Sequence, residues 1–212
     1  MGYSLPSPIR QRVREGIRIL KRGGLVAFPT DTVYGLGAAI NIQSAVARVY
    51  QVKQRPPNMA LPLLLSDISQ IDEVAGPLTP MARRLITAFL PGALTLVLCK
   101  TKTVPDFVTA GQSTVAIRVP AHPVPVALAR GLGAPIVGTS ANMSGQPSPL
   151  TAEEVRAQLG DKIDLVIDGG PSWGNKESTI VDVTGETPVV LREGAISREE
   201  LKRVLGSDFP CV

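Results

Sequence analysis

Leu25-Val26-Ala27-Phe28-Pro29-Thr30-Asp31-Thr32-Val33-Tyr34-Gly35-Leu36-Gly37 is the stretch on which the fold turns. Its first four residues are an apolar run suited to a buried strand, and Pro29 stops it. Hydroxyls, a carboxylate and two glycines follow directly. Open α/β sheets place ligands just beyond strand ends of this kind. The same cluster also suits a Pro/Asp turn closed by local hydrogen bonds. Upstream, Ile9, Val13, Ile17 and Leu20 keep helical spacing over residues 8–22, and Gly23-Gly24 ends that pattern.

Downstream, Val46, Val49 and Tyr50 repeat the helical spacing over 43–52. Leu61 to Leu65 reads as a short strand, which Pro62 pushes toward an edge or a bulge. Thr79 caps a helix over 79–90, with Pro80 at its first position. Residues 93–99, 114–119 and 134–138 read as strands. Thr151, three residues before Glu154, predicts a capping box opening a helix over 151–159. Strands follow at 163–168, 178–183 and 188–192. The last two are joined by Thr184-Gly185-Glu186-Thr187, a hairpin signal. Ser197 caps a final helix through Leu205. Early alternation of helix and strand with a closing hairpin predicts one α/β or α+β domain on a mixed sheet. Thr151 is the candidate start of an appendage, although no composition shift marks it.

The 212 residues are 44% hydrophobic and 19% charged, enough to build a core and too apolar for a disordered tail. Aromatics are only 4%, so stacking platforms for single-stranded nucleic acid are sparse. Two cysteines, Cys99 and Cys211, make neither a disulfide framework nor a four-ligand zinc site. The single histidine, His122, argues against multi-histidine metal chemistry; it lies between Ala121 and Pro123, where a turn is expected. A net charge of +4 is compatible with an anionic partner. No apolar run approaches the ~20 residues of a membrane span. The first residues lack a signal-peptide core, and Pro6 occupies the Ser/Thr position of a myristoylation motif. A soluble, reducing, cytoplasmic setting is expected, with no membrane partner.

The chain has no P-loop, no complete dinucleotide fingerprint and no GxSxG. Phosphates would therefore be held by side chains. Lys53-Gln54-Arg55-Pro56 follows a helix, and its point charge beside a planar fork suits a polyphosphate. In Thr114-Val115-Ala116-Ile117-Arg118-Val119, alternation puts Thr114, Ala116 and Arg118 on one face. That face is either a polar pocket or an edge meeting water. Gly138-Thr139-Ser140-Ala141-Asn142-Met143-Ser144-Gly145 is dense in groups that bind phosphate or ribose. Lys176-Glu177-Ser178-Thr179 opens a strand and Arg192 closes the next. Arg10, Arg14 and Arg18 form a stripe that either touches RNA phosphate or is a solvated helix face.

Five of these segments, with Pro91-Gly92, together resemble the YrdC-type family, the threonylcarbamoyl-AMP synthases. The resemblance runs from about Ile9 to Leu205. It rests on the motifs at 28–37, Lys-Gln-Arg-Pro at 53–56, Pro-Gly at 91–92, Ala-Ile-Arg-Val-Pro at 116–120, Thr-Ser-Ala-Asn-Met-Ser-Gly at 139–145 and Glu-Ser-Thr-Ile at 177–180. It implies a YrdC-like catalytic domain over 9–206, between an extension at 1–8 and a tail at 207–212. The implied fold is a single α/β domain with a twisted mixed sheet flanked by helices around a deep basic cavity. The implied reaction condenses L-threonine, bicarbonate and ATP into threonylcarbamoyl-AMP and pyrophosphate. Magnesium would come with ATP, and no organic cofactor is implied. Separate transferase proteins would pass the product to an adenosine beside the anticodon of certain tRNAs.

By the same resemblance, Lys53, Arg55, Ser140 and Asn142 are the catalytic, phosphate-holding set. Thr114 and Arg192 are further nucleotide contacts. Thr30, Arg118, Gly138 (by backbone) and Ser178 are contacts to threonine, with the Arg118 fork on its carboxylate. No residue is implied as a metal ligand. Leu64 stands where many relatives carry a histidine, and the chain lacks the long C-terminal domain of some relatives. Two alternatives remain: a binding module for structured RNA, and a carbamoyl-transfer domain of the hydrogenase-maturation type. The length and the two cysteines weigh against the second.

Overall fold

The computed structural model describes residues 5–209. In chain order the elements are α1 (Ser7–Lys21), β1 (Val26–Phe28), β2 (Gly35–Ala39), α2 (Gln43–Lys53), β3 (Leu63–Leu64), α3 (Ile71–Val74), α4 (Pro80–Phe89) and β4 (Leu94–Cys99). Then come α5 (Asp106–Thr109), β5 (Thr114–Arg118), α6 (Pro123–Leu132), β6 (Ile136–Ser140), α7 (Ala152–Leu159), β7 (Leu165–Val166), β8 (Thr179–Asp182), β9 (Val189–Arg192) and α8 (Arg198–Leu205). The nine strands form one sheet in the order β7-β1-β2-β6-β3-β5-β4-β8-β9. Pairs β1/β7, β3/β5 and β4/β8 are parallel and the other five are antiparallel. The mixed sheet expected from the sequence is therefore present. Cys211 lies outside the described residues.

Local chemistry sets most helix starts. Thr79 Oγ1 accepts from Ala82 N, and Ser197 and Glu200 complete a reciprocal capping box. Thr151 caps α7, but the expected box is only half formed: Glu154 accepts from Leu150 N instead of Thr151 N.

Four expectations need correction. Gly35-Leu36-Gly37 is not part of a loop; it opens the strand β2, which lies between β1 and β6. Its glycines make room for a ring: a Cβ at Gly35 or Gly37 would sit 2.9 or 2.8 Å from the Phe28 side chain. The strand near Pro62 is neither an edge nor a bulge. It shrinks to Leu63–Leu64 and lies inside the sheet, with Pro62 just before it giving its carbonyl to Gly138 N. Residues after Thr151 are no appendage, because β7 extends the sheet beside β1. His122 is not in a simple turn. Its Nδ1 accepts from Val124 N and caps α6, an element absent from the sequence reading.

The two faces of the sheet differ, and the difference makes the site. One face carries Leu36, Leu63, Leu94, Leu96, Val115, Ile117, Val137 and Val181 into the main core, with α2, α4, α7 and α8 against it. On the opposite face, α1 and α6 cover only part of the sheet, packing Val13, Leu20, Val124 and Leu128 onto Val26, Phe28 and Ile136. Toward β5, β4 and β8 no helix of the described residues covers that face.

Candidate active site

The uncovered half-face is the floor of a cavity of about 770 Å³. Strand alternation supplies the floor: Thr95 and Val97 from β4, Thr114, Ala116 and Arg118 from β5, and Ile180 and Asp182 from β8. Because β5 is interior, Arg118 faces a pocket and not an edge. Thr30, Lys53, Arg55, Thr114, Arg118, Gly138, Ser140, Asn142, Ser178 and Arg192 all line this one cavity. The residues assigned by resemblance to the catalytic, nucleotide and threonine sets are thus all brought to one cavity by the fold. Arg10, Arg14 and Arg18 are exposed on α1 and line no part of it.

Lys53 is the last residue of α2, and Gln54 turns left-handed at φ 52°, so Arg55 lies just beyond the helix end. The Lys53 side chain is 2% exposed. Its Nζ donates to Ser140 O (2.5 Å), Asn142 O (2.6 Å) and Asn142 Oδ1 (3.1 Å). Ser140 Oγ donates to the same Oδ1 at 2.6 Å. All three ammonium protons are therefore spent on the turn after β6. Burial, reinforced by the Arg55 charge, lowers the Lys53 pKa from 10.5 to about 8, with Glu177 opposing. Arg55 gives Nη2 to Ala60 O at 3.0 Å and a long bond from Nε to Met59 O at 3.4 Å.

At another part of the cavity the buried Arg118 donates from Nε to Gly92 O, from Nη1 to Thr32 Oγ1 and from Nη2 to Asp31 Oδ1, at 2.9, 2.8 and 2.6 Å. Thr32 Oγ1 lies 3.0 Å from Thr30 Oγ1. A wholly free fork is therefore not available there; a ligand would meet the two N–H groups left over. Ser178 Oγ lies 2.8 Å from Thr95 Oγ1. Arg192 clasps the Ser178 carbonyl through Nε and Nη2 and pairs with Glu177 through Nη1. Gly138 spends its N–H on Pro62 O, and a Cβ there would sit 2.4 Å from Leu64 Cγ. Leu64 itself lines the cavity.

Sequence reading passed over Thr32, Asn58, Thr95, Glu177 and Asp182, which also line it. Thr95 carried a signal, as the sole polar side chain of Leu-Thr-Leu-Val-Leu. Glu177 carried another, inside the Glu-Ser-Thr-Ile motif. His122 is held away from the cavity lining. It packs on Trp173 with ring centroids 4.5 Å apart, and burial lowers its pKa to about 4. Among the described residues no three His, Cys, Asp or Glu side chains gather as a metal-ligand set, and no helix is long and apolar enough to cross a membrane.

A mixed sheet, half covered on one face and carrying a cavity with Lys53, Arg55, Arg118 and Arg192 in its lining, defines a narrow class of α/β protein. The family model described as telomere recombination, Sua5/YciO/YrdC, matches residues 18–194. The chain belongs to that family. It is 43% identical over 196 residues to the threonylcarbamoyl-AMP synthase of Bacillus subtilis, covering 92% of this chain and 57% of that protein. It is 41% identical over 203 residues to the putative threonylcarbamoyl-AMP synthase of Mycobacterium tuberculosis H37Rv, covering 96% and 93%. The solved structure of P. abyssi Sua5 complexed with L-threonine superposes with a TM-score of 0.88 at 41% identity, over 92% of this chain and 57% of that one. The chain thus spans less than two thirds of the Bacillus and Pyrococcus relatives. These names do not favour a non-catalytic RNA-binding module.

Proposed function

We propose that this chain is an L-threonylcarbamoyladenylate synthase, a nucleotidyltransferase that joins L-threonine, bicarbonate or carbon dioxide, and ATP. The observation that carries the reading is the convergence of ten candidate residues, from six separate segments, on one cavity. In this reading the threonine amine adds to carbon dioxide and loses a proton, giving a carbamate. A carbamate oxygen then forms a bond to the α-phosphorus, and the bond to the bridging oxygen breaks as pyrophosphate leaves. Attacker and triphosphate are both anionic, so fixed positive charge lowers the barrier most.

Lys53 works through its charge and through the turn it holds, since its protons are spent on Ser140 and Asn142. Arg55, Arg192, Ser140, Asn142 and Thr114 are the phosphate and nucleotide contacts. Thr30, Arg118, Gly138 and Ser178 are the contacts to threonine. Magnesium would come with ATP, held mainly by the triphosphate oxygens, and would offset part of their negative charge. No side chain forms a covalent bond to substrate; alignment supplies the rate. The domain spans 9–206, acts in the cytoplasm, and hands its product to separate tRNA-modifying transferases.

The test is pyrophosphate release from magnesium-ATP by purified protein. It should require L-threonine and bicarbonate together, and ¹³C-bicarbonate should add its label to an adenylated product in the mass spectrum. Release that threonine does not accelerate would overturn the assignment.

A further inference from the structure

We infer that Asp31 is a positioning residue, which acts from outside the cavity by fixing the Arg118 guanidinium where the amino-acid carboxylate meets it. The inference rests on the reading of Arg118 as the carboxylate partner. The Asp31–Arg118 pair is 2.6 Å long, with side-chain exposures of 10% and 8%. It is the one ion pair among the described residues in which both side chains are so covered. Arg118, Thr30 and Thr32 line the cavity, whereas Asp31 does not.

Asp31 therefore does not compete for a place against the substrate; it works on the guanidinium from behind. A buried cation without a countercharge gains by swinging toward water, and an arginine side chain has ample rotamer freedom to do so. Three anchors prevent that here. Gly92 O takes Nε, Thr32 Oγ1 takes Nη1 and Asp31 Oδ1 takes Nη2. Asp31 is the only charged anchor of the three, and two N–H groups remain for a ligand. Burial disfavours the Arg118 charge, and Asp31 offsets that through both its charge and its hydrogen bond. The backbone that carries Asp31 is itself closely packed, because the chain passes so near at Gly174 that a Cβ there would sit 2.7 Å from the Asp31 backbone carbonyl.

The test measures KM for threonine, KM for ATP and kcat in wild type, Asp31→Asn, Arg118→Ala and the double variant. Asp31→Asn should raise the threonine KM about tenfold, with kcat and the ATP KM within about twofold. In the Arg118→Ala background it should add nothing, because its effect passes through that side chain. An unchanged threonine KM, an equal rise for ATP, or a full further loss in the Arg118→Ala background would each overturn the inference. If Arg118→Ala itself leaves the threonine KM unchanged, the assignment of Arg118 is what fails. If Asp31→Asn does not yield folded protein, Thr32→Val cuts a second anchor. It should raise the threonine KM alone, about threefold, and no rise would refute the positioning role.

Discussion

Replacing Lys53 by methionine separates a catalytic effect from a structural one, because the two energies differ in size. The ammonium donates three hydrogen bonds, to Ser140 O, Asn142 O and Asn142 Oδ1. Hydrogen bonds from a charged group contribute about 1.5 kcal/mol each. Against this, burial lowers the pKa from 10.5 to about 8, which corresponds to about 3 kcal/mol disfavouring the charged form. The two nearly offset, so global stability should change by no more than about 2 kcal/mol in a urea melt. Turnover should fall further. The turn bearing Ser140 and Asn142 loses its anchor and the phosphate end loses a charge, and one preorganised electrostatic contact is worth about 3 kcal/mol, roughly a hundredfold. The pH dependence has a definite sign. Between about 8 and 10.5 the folded chain holds fewer protons at Lys53 than the unfolded chain. Its contribution to stability therefore rises with pH across that window, while turnover, which needs the charge, falls as pH passes about 8. The assays are pyrophosphate release at saturating substrates and a pH–rate profile. Lys53→Met turnover within about threefold of wild type would refute the reasoning. So would a basic limb that stays in place in Lys53→Arg, whose guanidinium remains charged.

Arg55→Ala should cut turnover about a hundredfold with the circular dichroism spectrum unchanged, and near-normal turnover would move the triphosphate elsewhere. Arg118→Ala should raise the threonine KM about tenfold or more and leave the ATP KM nearly unchanged, checked by titrating each substrate separately. His122 is neutral in the fold, its pKa lowered from 6.5 to about 4 by burial. As pH falls through that window the unfolded chain takes up the proton first, so stability is lost, by up to about 3 kcal/mol. His122→Asn keeps a capping acceptor and should abolish this dependence in denaturation midpoints measured from pH 7 to 4. Gly37→Ala places a Cβ 2.8 Å from Phe28 Cε1 and should destabilise by about 1–3 kcal/mol; an unchanged melting temperature would show that the ring yields freely.

What was legible locally was legible for physical reasons. Thr114, Ala116 and Arg118 share a face because strand side chains alternate, and no partner information is needed to see it. Thr79 and Ser197 announce helices because a capping bond closes within four residues. The strand β2 was hidden because Gly-Leu-Gly-Ala-Ala contains no β-branched or aromatic residue. Its place is set by pairing with β1 and β6, and its glycines leave room for the Phe28 ring. Helix α6 was hidden by Pro123 and Pro125, which resemble a loop until His122 is seen capping the first turn. Lys53 was identified as a site residue, yet its bonds to Ser140 and Asn142 cross 87 and 89 residues of chain. No local pattern encodes a contact that depends on where α2 ends relative to β6. The Asp31–Arg118 pair, separated by 87 residues, is the same case.

The distribution of countercharge around the cavity gives the proposed chemistry its direction. Arg118 and Arg192 each have a carboxylate partner, Asp31 and Glu177. Lys53 and Arg55 have no carboxylate within ion-pair distance among the described residues; they rest on carbonyl oxygens. Burial is the main cause that lowers the pKa of Lys53, Arg55 and Arg118, and the cations add to it: Arg55 acts on Lys53, and Arg192 on Arg55 and Arg118. Uncompensated charge is therefore concentrated at Lys53 and Arg55, while the charge at Arg118 and Arg192 is partly neutralised in place. A highly charged anion gains most at the first pair, and a singly charged carboxylate suffices at Arg118. On the proposed assignment, this asymmetry sorts triphosphate from amino acid before any shape-specific contact is made. It also makes Asp31 part of the selectivity, since removing it would let phosphate compete for the end meant for threonine.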